Sequence, residues 1–123
     1  NAANVLKEFG IDFASKRFAK LSAGMQQKVS LAFAFMLDAD LILLDEPLTH
    51  LDVDAILTLR SLIEKRRQGG ASFLIASHIL SDLEQVCDKI YFLKAGEVLY
   101  SGNIEELLSS FNTLEKAYVE IFK

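Results

Sequence analysis

The stretch Leu41-Ile42-Leu43-Leu44-Asp45-Glu46-Pro47 runs four aliphatic residues straight into two adjacent carboxylates and a proline. Its length and bounds suit a strand, and unbroken apolar character is what a parallel strand covered on both faces requires. Asp45 and Glu46 then stand at the strand's carboxyl end. Ligands of open α/β sheets bind in the crevice outside the carboxyl ends of the strands, so two acids there point to a site for Mg²⁺ and an activated water. An ordinary loop can begin the same way, and the neighbouring sequence has to decide between them.

A second apolar run, Ala71 to Ser77, follows Gly69-Gly70 and delivers His78 at its far end. Between the two runs, Val53 to Gln68 carries Ile56, Leu59 and Ile63 at i, i+3 and i+7, the stripe of a helix. Strand, helix and strand make a right-handed parallel crossover, which sets both carboxyl ends on one edge of the sheet. Asp45, Glu46 and His78 are therefore expected to converge. A lone histidine is more often bonded to nearby backbone; its placement here favours the site.

Upstream, Leu21-Ser22-Ala23-Gly24-Met25-Gln26-Gln27-Lys28 precedes a helix expected from about Met25 to Leu37. Ser22 is a natural cap. A serine and a glycine at a helix start supply a hydroxyl, free N–H groups and the positive end of the helix dipole, which together suit a phosphate. Plain capping would explain an isolated Ser-x-Gly, but this one is followed by the two runs above.

In this order and at these separations, Leu21 to Gln26, Leu41 to Pro47, Leu51-Asp52 and Ser77-His78 resemble the C-terminal part of an ATP-binding-cassette (ABC) transporter ATPase. The resemblance implies an α/β fold: a partial P-loop NTPase-like core with parallel strands flanked by helices. It also implies the end of a helical subdomain over residues 1–38, and the C-terminal half of the core, with a β-hairpin and closing helices, over 39–123. Leu21 to Gln26 looks like the signature loop, which reaches across a dimer to the γ-phosphate of ATP held by the opposite subunit. Ser22 and Gly24 match it; Ala23 replaces the usual second glycine and Met25 the usual glutamine. Asp45 is similar to the Walker B aspartate that holds Mg²⁺ through water, and Glu46 to the carboxylate that orients or deprotonates the attacking water. Leu48 to Asp52 takes the place of the D-loop, with Leu51 and Asp52 matching and His50 standing where glycine is common. Asp52 also reads as the N-cap of the next helix. His78 resembles the switch histidine that contacts the γ-phosphate.

The resemblance implies a second ATPase subunit and membrane-spanning transporter subunits as partners, and a place in the cytoplasm at the inner face of the membrane. The tail Thr113 to Phe122 resembles the exporter-type branch. The phosphate-cradling Gly-x-x-x-x-Gly-Lys-Ser/Thr does not occur, since the glycines are Gly10, Gly24, Gly69, Gly70, Gly96 and Gly102. The expected reading is a C-terminal fragment, deficient in ATPase activity by itself, and the start at Asn1 without methionine favours it. Two alternatives are a piece of a soluble, non-transport ABC ATPase and a non-catalytic docking module.

The 123 residues are 51% hydrophobic, enough for a domain-sized core. A formal charge of −4 gives no support for a nucleic-acid surface. Lys65-Arg66-Arg67 reads as cations complementing the dipole at the end of their own helix. A single cysteine, Cys87, excludes an intrachain disulfide, and its spacing from Leu80 and Leu83 reads as core. No apolar run approaches the roughly 18 residues of a membrane span.

The remaining segments read as scaffold. Asn1 to Phe9 is expected to be helical, with Val5, Leu6 and Phe9 on one side. Phe33 and Phe35 are expected in the core, because Leu31 to Leu37 is apolar nearly all round. Ser81 and Glu84 have capping-box spacing. Lys89 to Lys94 and Glu97 to Ser101 flank Ala95-Gly96 as a hairpin, and Asn103 to Ser109 and Leu114 to Phe122 close the chain as helices. An unpaired sheet edge and bare apolar surface are expected, and with them self-association, including a strand- or helix-exchanged dimer.

Overall fold

The computed structural model describes residues 2–13 and 16–122. Its elements run α1 (Ala2–Glu8), α2 (Ala23–Met36), β1 (Leu41–Asp45), α3 (Val53–Gln68), β2 (Ser72–Ala76), α4 (Leu80–Val86), β3 (Lys89–Lys94), β4 (Glu97–Asn103), α5 (Ile104–Phe111) and α6 (Leu114–Ile121). The expected helical start at Asn1 lies outside the described residues. The chain divides into two compact units, Asn1–Ala76 and Ser77–Lys123.

In the first unit β1 and β2 pair in parallel, from Leu41 opposite Ser72 to Asp45 opposite Ala76. The crossover between them is α3, as the sequence pattern indicates, and the two carboxyl ends share an edge. Asp52 starts α3 by accepting a hydrogen bond from the Ala55 N–H at 2.8 Å. The helix buries Ala55, Leu59, Leu62 and Ile63, a stripe at i, i+4, i+7 and i+8, while Ile56 is half-buried beside it. Ile42 and Leu44 are buried on one face of the sheet, where the rings of Phe35 and Phe73 meet at 5.8 Å. Burying such side chains is worth about 1.5–3 kcal/mol each.

The opposite face corrects one expectation. Leu41, Leu43 and Leu74 are 60%, 66% and 60% exposed, so β1 is covered on one face and not on both. No third strand pairs with either strand among the described residues, and each keeps one open edge. The all-round apolar character of α2 is likewise not matched by all-round burial. Leu31, Ala32 and Phe35 are buried, but Phe33 is 64% exposed and is not a core aromatic. Two residues along a helix turn through about 200°, so burying Phe35 points Phe33 the other way.

Arg66 also does more than the sequence pattern suggests. Its guanidinium donates to the carbonyls of Phe35 (3.2 Å), Leu37 (3.2 Å) and Ala39 (3.1 Å), so the cation serves the carboxyl end of α2.

In the second unit β3 and β4 form the expected hairpin. Ala95 (φ 51°) and Gly96 (φ 78°) both take the left-handed conformation that a two-residue hairpin loop requires. The register passes from Phe92 opposite Tyr100 to Leu93 opposite Val98, leaving Leu99 as a bulge. Asn103 caps α5 by accepting from the Glu105 and Glu106 N–H groups, and Thr113 caps α6 by accepting from Lys116. Leu83, Ile90, Phe92, Ile104, Leu107 and Leu114 form the core.

Ser81 and Glu84 do not make a capping box. Ile79 is the N-cap of α4 and has no side-chain cap, and Ser81 lies within the helix. Glu84 instead accepts from the Leu114 N–H at 2.6 Å, holding the start of α6. Cys87 ends α4 half-buried, its N–H donating to the Leu83 carbonyl. Burial, and then the neighbouring Asp88 charge, push its thiol above the usual range. No helix of the described residues is long and apolar enough to cross a membrane.

Candidate functional site

β1 delivers an exposed Asp45 at its carboxyl end, and the next residue breaks the strand. Glu46 takes φ 48°, a left-handed conformation uncommon outside glycine and concentrated at functional sites. Its N–H still donates to the Ala76 carbonyl at 2.8 Å, so the sheet ladder carries one residue past Asp45 before the chain turns. Pro47 is fully buried within the turn and Leu48 is buried after it. One oxygen of the Glu46 carboxylate, Oε2, is buried as well.

The start of α2 is built by local bonds. Ser22 Oγ accepts from the Met25 N–H at 3.2 Å, and Gln26 Nε2 donates to the Phe18 carbonyl at 3.0 Å, tying the helix to the 3-10 turn at Phe18–Lys20. Helix geometry gives the Ala23 and Gly24 N–H groups no intrahelical acceptor, and Ser22 and Ala23 are exposed. That is the arrangement an anion uses at a helix N-terminus.

The helix and the turn are held together by one face of α2. Gly24 lies so close to the loop that a Cβ there would stand 2.7 Å from the His50 carbonyl oxygen. Gln27 Nε2 donates to two consecutive carbonyls, Glu46 at 3.2 Å and Pro47 at 2.9 Å. Lys28 Nζ meets Asp52 Oδ2 at 3.3 Å. The Ala55 N–H, and then the Lys28 ammonium, hold the Asp52 carboxyl below the usual carboxylate range. His50 itself has φ 65°, so the loop is bent sharply at both Glu46 and His50.

The structure places the expected residues Ser22, Ala23, Gly24, Met25 and Gln26 at the start of α2, Asp45 at the end of β1 with Glu46 directly after it, and Asp52 before α3, all in the first unit. His78 belongs to the second unit, exposed, two positions beyond the last residue of β2. Sequence reasoning missed Gln27 and Lys28. Their spacing from Gly24, at i+3 and i+4, would have placed all three on one helix face.

Among the described residues no group of three or more His, Cys, Asp and Glu side chains could hold a metal. Mg²⁺ keeps several waters and takes one or two carboxylates together with substrate phosphates. Asp45 at the strand end fits that mode, whereas an all-protein cage is not formed.

Residues 1–49 match the family model described as "ABC transporter". The chain is 35% identical over 118 residues to the ABC transporter ATP-binding protein NatA of Bacillus subtilis (strain 168), covering 95% of this chain and 48% of NatA. Among solved structures it is similar to the ATP-binding subunit of an ABC transporter, with a TM-score of 0.88 and 34% identity over 98% of this chain and 52% of that one. It is also similar to an ATP-binding cassette in a dimeric post-hydrolysis state bound to ADP and Pi, with a TM-score of 0.74 and 27% identity over 83% of this chain and 45% of that one. The chain thus spans between 26% and 50% of the length of such curated relatives.

Proposed function

The chain belongs to the family of ABC transporter ATP-binding subunits, and on that premise we propose that it forms the part of such a subunit that closes on ATP held by a second subunit and hydrolyses it to drive transport. Residues 1–38 are then the end of the helical subdomain and 39–123 the C-terminal half of the catalytic core. The observation that carries this reading is the left-handed Glu46 directly after Asp45 at the carboxyl end of a parallel strand.

Each residue's part follows from its chemistry. Ser22 Oγ accepts from Met25 through a lone pair, so its proton is free to be donated to a γ-phosphate oxygen, beside the Gly24 amide and the positive end of α2. Ala23, Met25 and Gln26 complete that loop. Glu46 orients the attacking water and takes up its proton. Asp45 is the residue that would hold Mg²⁺ through water, and an ion bound there would supply neutralising charge to the phosphate oxygens. Asp52 anchors the loop that links the two nucleotide sites, and His78 contacts the γ-phosphate. Such a division of labour suits phosphoryl transfer, which is catalysed mainly by positioning and charge stabilisation.

The 123 residues contain no Gly-x-x-x-x-Gly-Lys-Ser/Thr cradle, so on their own they bind ATP weakly and do not turn it over. The partners in this reading are a second ATPase subunit and the membrane-spanning subunits, which place the protein at the cytoplasmic face of the membrane. The bare sheet face at Leu41, Leu43 and Leu74 supports self-association of the isolated chain.

The test is Glu46→Gln in the complete subunit. Hydrolysis should fall by about 10²–10⁴, the usual contribution of a positioned general base, with ATP binding retained. Hydrolysis at the parent rate would remove Glu46 from the chemistry.

A further inference from the structure

The Gln27 side chain is not one of the residues that meets nucleotide in the reading above, yet it bridges α2 to the backbone that carries Glu46. Its amide nitrogen donates to the Glu46 carbonyl at 3.2 Å and the Pro47 carbonyl at 2.9 Å, the acceptors of the two consecutive peptide units that flank Pro47. The backbone it grips is the strained one. Glu46 stands at φ 48°, and within the turn the Thr49 N–H reaches the Glu46 carbonyl only at 3.4 Å. A left-handed glutamate persists when its surroundings over-determine it. The Glu46 N–H fixes one side of the residue to the Ala76 carbonyl at 2.8 Å, and Gln27 fixes the other.

We propose that Gln27 is a positioning residue for hydrolysis. It clamps the Glu46-Pro47 peptide and so fixes the direction in which the Glu46 carboxylate leaves the backbone. The clamp starts from α2, whose first turn carries Ser22 and Gly24. Gly24 leaves no room for a Cβ against the His50 carbonyl and Lys28 holds Asp52, so Gln27 stands between two other close approaches of α2 to residues 46–52. A phosphate that engages the start of α2 and the carboxylate that acts on water are thereby joined within one chain by a half-buried, short side chain. This inference rests on the assignment of Glu46 as the base.

The experiment compares Gln27→Met, Gln27→Lys and Glu46→Gln in the complete subunit, reading kcat and KM for ATP hydrolysis together with the melting temperature. Methionine keeps length and packing but cannot donate; lysine restores a donor of similar reach. Gln27→Met is expected to lower kcat by about 10- to 100-fold, the scale of a displacement near 1 Å in a reacting group, with KM within about twofold. Gln27→Lys is expected to recover most of that loss. Unchanged kcat in Gln27→Met, or a loss that lysine does not recover, would overturn the proposal. Should the methionine variant fail to fold, Gln27→Lys decides alone: kcat near the parent value supports the clamp and a tenfold loss at unchanged KM overturns it. A Glu46→Gln variant that still hydrolyses would instead sink the assignment of the base, independently of what Gln27 does.

Discussion

Replacing Gly24 by alanine sets two opposing effects against each other. Gly24 is the second residue of α2 and does not have a positive φ, so helix propensity and the reduced freedom of the unfolded chain both favour alanine, by about 0.5–1 kcal/mol. Against this, the new Cβ would stand 2.7 Å from the His50 carbonyl oxygen, a backbone atom. The loop has little room to retreat. Pro47 is fully buried beneath it, and Gln27 and Lys28 tie its two ends to the same helix. Overpacking of this kind costs about 1–3 kcal/mol. The steric term should win, leaving a net loss of about 1 kcal/mol. For a unit of this size that lowers the melting temperature by about 4–8 °C. Thermal unfolding of the parent chain and Gly24→Ala, followed by far-ultraviolet circular dichroism, reads the difference. A melting temperature equal to or above the parent's would refute the close approach of α2 to His50.

Asp52 carries a pH signature: its carboxyl lies below the usual range when folded, so its stabilisation is present above the unfolded carboxylate value and is lost as pH falls through the folded one. Acid unfolding below about pH 4 should therefore be less steep in Asp52→Asn, which keeps a capping oxygen but cannot titrate; identical acid limbs would remove Asp52 from the balance. Cys87, half-buried and with its thiol raised, should react with iodoacetamide at neutral pH more slowly than a free thiol and catch up only in alkali, a course that mass spectrometry follows. Leu43→Lys places a charge on the bare sheet face, where Leu43 is 66% exposed, and should lower the mass of the isolated chain in sedimentation without unfolding it. An unchanged mass would point association elsewhere.

Elements with a local cause were legible in the amino-acid sequence. The apolar runs ending at Asp45 and Ser77, the Asp52 cap and the Ala95-Gly96 turn each carry their own physical reason. Burial beyond the element was less so. An uninterrupted run such as Leu41 to Leu44 has the same pattern whether one face or two are covered, and Phe33 differs from Phe35 only in which side of α2 meets the sheet. The capping-box spacing of Ser81 and Glu84 failed because Glu84 was engaged by a residue thirty positions away, Leu114. In the candidate site, the chemistry-bearing types at Ser22, Asp45, Glu46 and Asp52 stood out, whereas Gln27 did not. A glutamine on a helix surface is usually solvated, and only the turn brought against it reveals its two acceptors.

In the proposed function, ATP is held between two chains until Glu46 allows its hydrolysis. The most direct test is the solution mass of the complete Glu46→Gln subunit with and without Mg²⁺-ATP. The expected result is twice the subunit mass with nucleotide retained, and the single-subunit mass without it. A single-subunit mass with ATP bound, or a dimer indifferent to ATP, would contradict it.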